Sequence, residues 1–544
     1  MRPPGKHTPV FVLGICCIAV LLEQSITRAA GDPVRIDSGP ISGTPAGSDA
    51  KVRVYKGIPY AAPPVGKLRW QPPVAVAPWQ NVRACDQFSP ICPQSPYPAG
   101  SVYAMAPQPQ SEDCLYLNVW TPADNVNEKG ASEKRPVMVW IHGGALTRGS
   151  GSIPFYDGEA LARKGVVVVT INYRLGPFGY FAHPALSRES EHGSSGNYGV
   201  LDQIAALRWV ERNIAAFGGD SSRVTIFGES AGSWSVCSLV ATPLSKGLFH
   251  RAIGESGGCF TAMHYLKEER NGLPSAEQAG QRLAAILGCD DAAEPLEALR
   301  GKSGDEILAA AADDPGQART RPNVDGWVFP EEIFKIYDAG KQHPVPVIVG
   351  SNADEGTSLA GAAVPVSMDG FLAATRRKYG DLADRFLKVY PVTSESDLRD
   401  AFLHSFRDEW FTWEMRTWAR MTHKAQAKAY LYFFSHVPSR PDREKYGAYH
   451  AAEIVYAFDN VRKTPWGNQP GEQSLADAMS DCWVRFATTG DPNGGTMPAW
   501  PAYSQEQEPY LEFGDSIAPR HGLFRAECDF FDAYVAAKRA ENAK

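Results

Sequence analysis

Beyond its first two dozen residues the chain has no apolar run long enough to cross a bilayer, which takes roughly 20 consecutive residues. It has no Lys/Arg-rich run, and 54 basic against 61 acidic residues leave a formal charge of −7. A nucleic-acid partner is therefore not expected. None of the 10 cysteines forms a CxxC pair, so no zinc-finger metal site is expected. No Asn-x-Ser/Thr acceptor occurs, no ER-retention signal ends the chain, and no internal repeat is visible. What is there is ordinary globular material: 544 residues, 44% hydrophobic and 21% charged. That excludes a collagen, a coiled coil or bulk disorder and leaves ample apolar mass for a large core.

The N-terminus reads as a targeting segment. Arg2 and Lys6 precede an apolar run from Val10 to Leu22, too short for a comfortable span and suited to a signal-peptide core. Thr27-Arg28-Ala29-Ala30 offers small residues at −3 and −1 for cleavage after Ala29. Ile15 is too bulky for lipoprotein processing at Cys16. The expectation is a signal peptide over 1–29 and a single domain over 30–544. The mature protein is expected to be secreted or periplasmic, without stable membrane insertion. In an oxidising compartment some of the remaining cysteines should pair.

The body alternates between strand and helix patterns. Val137–Ile141, Gly165–Asn172, Arg223–Phe227, Val345–Val349 and Tyr430–Phe434 are short runs rich in β-branched and aromatic residues, suited to parallel strands covered on both faces. Between Leu201 and Ile214, Leu201, Ile204, Ala205, Leu207 and Ile214 share a helical face. This pattern predicts a doubly wound α/β domain with long insertions. Residues 271–317 and 371–418 are expected to be helical cap elements, and 39–49 and 90–110 surface loops. Trp410, Phe411, Trp413, Trp418, Tyr456 and Phe458 are spaced for a packed core more than for a substrate gorge.

Gly228-Glu229-Ser230-Ala231-Gly232 matches G-x-S-x-G, in which flanking glycines make room for a serine on a strained strand-to-helix turn. Chance alone gives roughly 0.2–0.3 matches in a chain this rich in glycine, and Gly254-Glu255-Ser256-Gly257-Gly258 is a second copy. Context separates them. Ser230 follows an apolar run and opens a segment of small and apolar residues fit for a buried helix. Gly257-Gly258 is a poor helix start, so Ser256 is expected to be a structural serine at a strand end. His142-Gly143-Gly144-Ala145, directly after the Val137–Ile141 run, lies where such folds place an oxyanion hole.

The base and its orienting acid should follow the serine in the order acid, then histidine. Gly350-Ser351-Asn352-Ala353-Asp354-Glu355-Gly356 offers two adjacent acids after the Val345–Val349 strand. His436 and His450 both follow the Tyr430–Phe434 strand. His436 stands too close to the strand end to swing toward the serine, whereas the loop carrying His450 has room to reach back. His264, His404, His423 and His521 read as surface or helix residues.

Taken together, these residues resemble the type-B carboxylesterase family, the group that includes cholinesterases, carboxylesterases and some fungal lipases. The markers are Gly57-Ile58-Pro59-Tyr60-Ala61, Ser111-Glu112-Asp113-Cys114-Leu115-Tyr116-Leu117-Asn118, the elbow at Ser230, and Gly490-Asp491-Pro492-Asn493. The resemblance runs from about Gly39 to Tyr534. It implies an α/β-hydrolase fold and a serine hydrolase of small carboxylic esters with no cofactor. It implies Ser230, Glu355 and His450 as the triad, with Glu355 rather than Asp354 as the acid. It implies oxyanion donors at Gly144, Ala145 and Ala231, a Cys92–Cys114 disulfide and an Arg69–Glu112 ion pair.

The departures are specific. Ala145 replaces the third glycine of the usual Gly-Gly-Gly, a variant compatible with bulky alcohol groups. Ala104 stands where cholinesterases carry a choline-stacking tryptophan, so choline esters are not expected substrates. The partner of the family's second disulfide falls at Ala298, which suggests Cys259–Cys289 instead. Cys482–Cys528 is a further candidate pair, and Cys237 is expected to be a buried small hydrophobe. The functional alternatives are an enzyme dedicated to one natural-product, toxin or xenobiotic ester, a lipase, or a non-catalytic adhesion homologue. The surviving triad argues against the last.

Overall fold

The computed structural model describes Met1, Gly5 and residues 33–125, 134–313 and 320–542. The expected signal segment lies outside the described residues, apart from Met1 and Gly5. Eleven strands form one sheet: β1 (Thr44–Ala46), β2 (Val52–Pro59), β3 (Tyr116–Pro122), β4 (Arg135–Ile141), β5 (Val167–Ile171), β6 (Gly219–Glu229), β7 (Arg251–Glu255), β8 (Val347–Asn352), β9 (Ala429–Phe434), β10 (Pro509–Phe513) and β11 (Ile517–His521). Their spatial order is β11-β10-β9-β8-β7-β6-β4-β5-β3-β2-β1. Pairing is parallel from β10 across to β5 and antiparallel at both edges. The chain thus has the mostly parallel, doubly wound sheet of an α/β-hydrolase.

All five apolar runs singled out in the sequence lie in this sheet. Side chains alternate between its faces. Val137, Val139 and Ile141 enter one hydrophobic layer, and Met138 and Trp140 enter the other. Val167, Val168 and Val169 are all fully buried, each worth about 1.5–3 kcal/mol relative to exposure. Continuous apolar runs are therefore required here, because both faces are covered by helices.

Six helices matter for the site: α1 (Tyr198–Asn213), α2 (Ala231–Ala241), α3 (Glu355–Leu359), α4 (Trp413–Lys424), α5 (Glu472–Thr489) and α6 (Arg525–Asn542). The two insertion regions are helical as expected, with helices at Ala276–Ile286, Pro295–Arg300 and Gly304–Asp313 in one and at Met368–Tyr379, Ala383–Val389 and Leu398–Arg407 in the other. The loop expected over 39–49 contains two short strands instead, Gly39–Ser42 and Thr44–Ala46. Ile41 is fully buried there, so the segment has an inward face that its glycine and proline content concealed. Residues 90–110 carry no helix or strand, only an isolated bridge between Ile91 and Gln110.

The cysteines correct most of the expected pairings. Cys237, in α2, is bonded to Cys259, so it is not a lone small hydrophobe and Cys259–Cys289 does not form. Cys289 is a buried thiol that reaches the Leu287 carbonyl instead. Cys482 and Cys528 cannot meet, because they belong to hydrophobic layers on opposite faces of the sheet. Cys92 and Cys114 do lie together, but as two buried thiols in hydrogen-bond contact rather than as a disulfide. The hydrogen bond to Cys92 and burial push the Cys114 thiol well above its ordinary range. The expected Arg69–Glu112 pair is present, with Arg69 Nε donating to Glu112 Oε2 at 2.7 Å.

Candidate active site

β6 ends at Glu229, and α2 begins at Ala231. Ser230 joins them in a left-handed conformation, φ 57° and ψ −122°. Such a backbone is costly for a residue with a side chain and persists only where its surroundings hold it. Here the Ser230 N–H donates to the Glu255 carbonyl at 2.8 Å, and its own carbonyl accepts from Trp234 at 2.9 Å. A Cβ on Gly228 would come within 2.5 Å of the Ile141 carbonyl oxygen, and one on Gly232 within 2.0 Å. Both glycines are needed because the elbow presses against the end of β4.

Ser256 also has a positive φ, 52°. The backbone angle alone does not separate the two serines, but their surroundings do. Ser230 is half-buried at the head of a helix; Ser256 is fully buried and opens none. Its expected place, directly after strand β7, is observed.

The segment after β4 lies against the elbow. A Cβ on Gly143 would sit 3.1 Å from Ser230 Cβ and 2.6 Å from the Glu229 carbonyl oxygen. Gly144 (φ 103°), Ala145 (φ 58°) and Leu146 (φ 61°) follow with positive φ. Ala145 is exposed while Leu146 is buried, so the turn opens its small residues toward the outside. His142 stacks on Tyr173 with centroids 4.5 Å apart, and the Tyr173 hydroxyl donates to its carbonyl at 2.7 Å. Burial pushes the His142 imidazole down to about 4, so it is neutral near pH 7.

Of the two candidate histidines, only His450 faces the acids after β8. Its Nδ1 lies 2.6 Å from Glu355 Oε2, and both residues are buried. His436 is tied to Asp515 at 2.9 Å and lies 3.4 Å from Glu472. The Glu355 carboxylate is itself held by the Asn352 N–H, 2.7 Å from Oε1. Asp354 serves the loop instead of the ring, its Oδ2 accepting the Ala448 N–H at 2.8 Å. The other imidazole nitrogen, Nε2, lies 3.0 Å from Oε1 of Glu229, the neighbour of Ser230. Burial, together with Glu355 and Glu255, pushes the Glu229 carboxyl well above the usual carboxylate range. Glu453 is raised in the same way, and Glu255, buried and hydrogen-bonded by Trp483, is pushed up to about 8.

Tyr103 and Ser358 carried no sequence signal, and the aromatic cluster divides between the site and the core. The Tyr103 hydroxyl donates to the His450 carbonyl at 3.0 Å and lies 2.7 Å from Ser358 Oγ. Phe411 packs on the His450 ring at 4.8 Å, while its neighbour Trp410 is 51% exposed. Trp413, Trp418, Tyr456 and Phe458 are buried in the core. These contacts join residues tens to hundreds of positions apart, which no local pattern reports.

A family model described as the carboxylesterase family matches residues 31–531. The chain is 36% identical to a fumonisin B1 esterase of Sphingopyxis macrogoltabida over 94% of this chain and 91% of that one. It is 36% identical to a para-nitrobenzyl esterase of Bacillus subtilis (strain 168), covering 88% and 94%. It is also 35% identical to a liver carboxylesterase of Sus scrofa, covering 90% of each chain. A solved PNB esterase structure superposes with a TM-score of 0.76 at 33% identity, covering 92% of this chain and 99% of that one.

Proposed function

Because the chain belongs to the carboxylesterase family and is a serine hydrolase of carboxylic esters, we propose that Ser230 is its nucleophile, His450 its base and Glu355 the acid that orients the base. The observation that carries this reading is His450 Nδ1 at 2.6 Å from Glu355 Oε2, with Nε2 turned toward the Glu229–Ser230 turn. Ser230 Oγ attacks the ester carbonyl carbon while His450 Nε2 takes its proton, and the same proton then goes to the departing alkoxide. Glu355 fixes the tautomer and stabilises the imidazolium. The N–H groups of Gly144, Ala145 and Ala231 receive the oxyanion. Water repeats the sequence on the acyl-enzyme and releases the acid.

Glu229 suits this arrangement because burial and the nearby Glu355 and Glu255 carboxylates favour its protonated form. A neutral carboxyl beside Nε2 does not compete with Glu355 for the imidazolium as an anion would. The test is active-site titration with a fluorophosphonate, followed by peptide mapping. One adduct per chain on the Ser230 peptide is expected; an adduct elsewhere, or none on folded protein, overturns the assignment.

The substrate is a small-molecule ester. Similarity to both a fumonisin B1 esterase and a para-nitrobenzyl esterase leaves dedicated and broad ester specificity as readings for a substrate panel. We also propose export: a signal peptide over 1–29 releases a single domain over 30–544 into the periplasm or medium. No helix among the described residues is long and apolar enough to cross a membrane. N-terminal sequencing of the exported protein should begin at Ala30.

A further inference from the structure

We propose that Gln94 is a positioning residue for the oxyanion hole, acting through a two-sided grip of its side-chain amide on Gly149. Gln94 Oε1 accepts the Gly149 N–H at 2.7 Å, and Gln94 Nε2 donates to the Gly149 carbonyl at 3.0 Å. Nε2 donates as well to the Cys92 carbonyl at 2.9 Å, and the Gln94 N–H donates to Gln110 Oε1 at 2.8 Å. The grip is thus anchored on both sides of the 92–110 segment. A carboxamide offers a donor and an acceptor side by side, as the N–H and C=O of one residue require.

What Gln94 holds is the strained turn at the site. Between Gly144 and Gly149, four residues have positive φ: Gly144, Ala145, Leu146 and Gly149 at 105°. Such a turn keeps one geometry only where its surroundings over-determine it. Inside the turn, the Thr147 and Arg148 N–H groups both donate to the Gly144 carbonyl at 3.0 Å. Outside it, the Leu146 carbonyl accepts from Gly176 at 2.7 Å, and Arg148 Nε donates to the Ser95 carbonyl at 3.0 Å. Gly149 is the point where the turn closes on its own beginning. A Cβ there would come within 2.4 Å of His142 Nδ1 and 2.6 Å of the Gly143 carbonyl oxygen. Fixing Gly149 therefore restrains the His142 ring and the Gly143–Gly144 peptide, and with that peptide the direction of the Gly144 N–H.

This inference rests on Gly144 and Ala145 being oxyanion donors. Their value lies in standing where the oxyanion forms, and a displacement of about 1 Å can cost on the order of 10²-fold in rate. Loosening the grip should lower kcat and leave KM nearly unchanged, because the hole is occupied fully only in the transition state.

The experiment compares wild type with Gln94→Met, which keeps the length and loses both bonds, and Gln94→Glu, which keeps the acceptor and loses the donor. All rates are normalised to fluorophosphonate-titrated sites. Gln94→Met should lose about 10- to 100-fold in kcat with KM within about threefold, and Gln94→Glu should fall between. The affinity of a trifluoromethyl ketone, which forms an oxyanion adduct with the serine, should fall in parallel with kcat/KM across the three proteins. Affinity for the product alcohol should not change. A Gln94→Met enzyme with wild-type kcat per titrated site, or ketone affinity that does not track kcat/KM, overturns the proposal. If Gln94→Met does not fold, the same comparison on Gln94→Glu decides. Failure of wild type to label at Ser230 would instead overturn the triad assignment, so the two failures are distinguishable.

Discussion

Asp354 and Glu355 are consecutive, yet they hold His450 from two different directions. Glu355 binds the imidazole through Nδ1 at 2.6 Å. Asp354 binds the backbone that carries it, accepting the Ala448 N–H at 2.8 Å and donating its own N–H to the Ala448 carbonyl at 3.0 Å. A Cβ on Gly447 would come within 2.2 Å of Asp354 Oδ2, so this acid is pressed against the loop. One carboxylate meets the ring itself, and its neighbour holds the backbone that carries it.

The two acids should therefore fail differently. Glu355→Gln keeps the shape but reverses the hydrogen-bonding demand on Nδ1, and kcat should fall by about 10³- to 10⁴-fold with little change in melting temperature. Asp354→Asn leaves the tautomer intact. It should lower kcat by less than about tenfold and cost about 1 kcal/mol of stability from one weakened bond. Steady-state kinetics and thermal melts on the two variants check this. Equal losses of kcat would mean that the acids share one role.

Ser230→Ala should remove about 10³-fold or more of kcat. Ser256→Ala should change kcat by less than about threefold, since the Ser256 side chain is enclosed and its Oγ makes no hydrogen bond. Esterase assays on both variants test it, and the reverse ranking would place the nucleophile on the second motif.

The Cys237–Cys259 bond ties α2, the helix Ser230 opens, to the segment after β7, closing a loop with a sequence separation of 22. Cross-links of this span contribute about 2–4 kcal/mol. Cys237→Ala should lower the free energy of unfolding by that amount, and reductant should destabilise wild type but not the variant. Denaturant titration with and without dithiothreitol measures both effects. Identical curves for the four samples would contradict the bond.

Glu414, in α4, is buried and accepts the Phe260 N–H at 3.0 Å; burial pushes its carboxyl up to about 8. The folded state then holds a proton that the unfolded chain releases above its ordinary value of 4.5. Stability from this group is complete below about 4.5 and declines as pH rises toward 8, at up to about 1.4 kcal/mol per pH unit. Glu414→Gln should flatten the decline across that window. Denaturant unfolding of both proteins from pH 5 to 9 checks it, and parallel curves would mean that Glu414 is ionised throughout.

Much of the fold was legible because it depends on local pattern. Strands covered on both faces must be continuously apolar, and the five runs in the sequence became β4, β5, β6, β8 and β9. The elbow was legible because Gly228, Ser230 and Gly232 answer to steric demands within one turn. The loop at 39–49 was misread because short edge strands with glycine and proline leave little periodicity, although Ile41 is buried.

What only the tertiary structure decided was pairing across distance. The family resemblance suggested Cys259–Cys289, and position near the C-terminus suggested Cys482–Cys528, but a disulfide requires Cα atoms within about 7 Å. The sheet separates Cys482 from Cys528, whereas the packing of α2 beside β7 brings Cys237 to Cys259. The same holds at the site. Amino-acid order alone specified a serine elbow, a small-residue turn after β4 and two acids beside one another. Which acid meets the imidazole, what raises the Glu229 carboxyl beside it, and how Gln94 reaches Gly149 depend on burial and on contacts between segments brought together only when the sheet has formed.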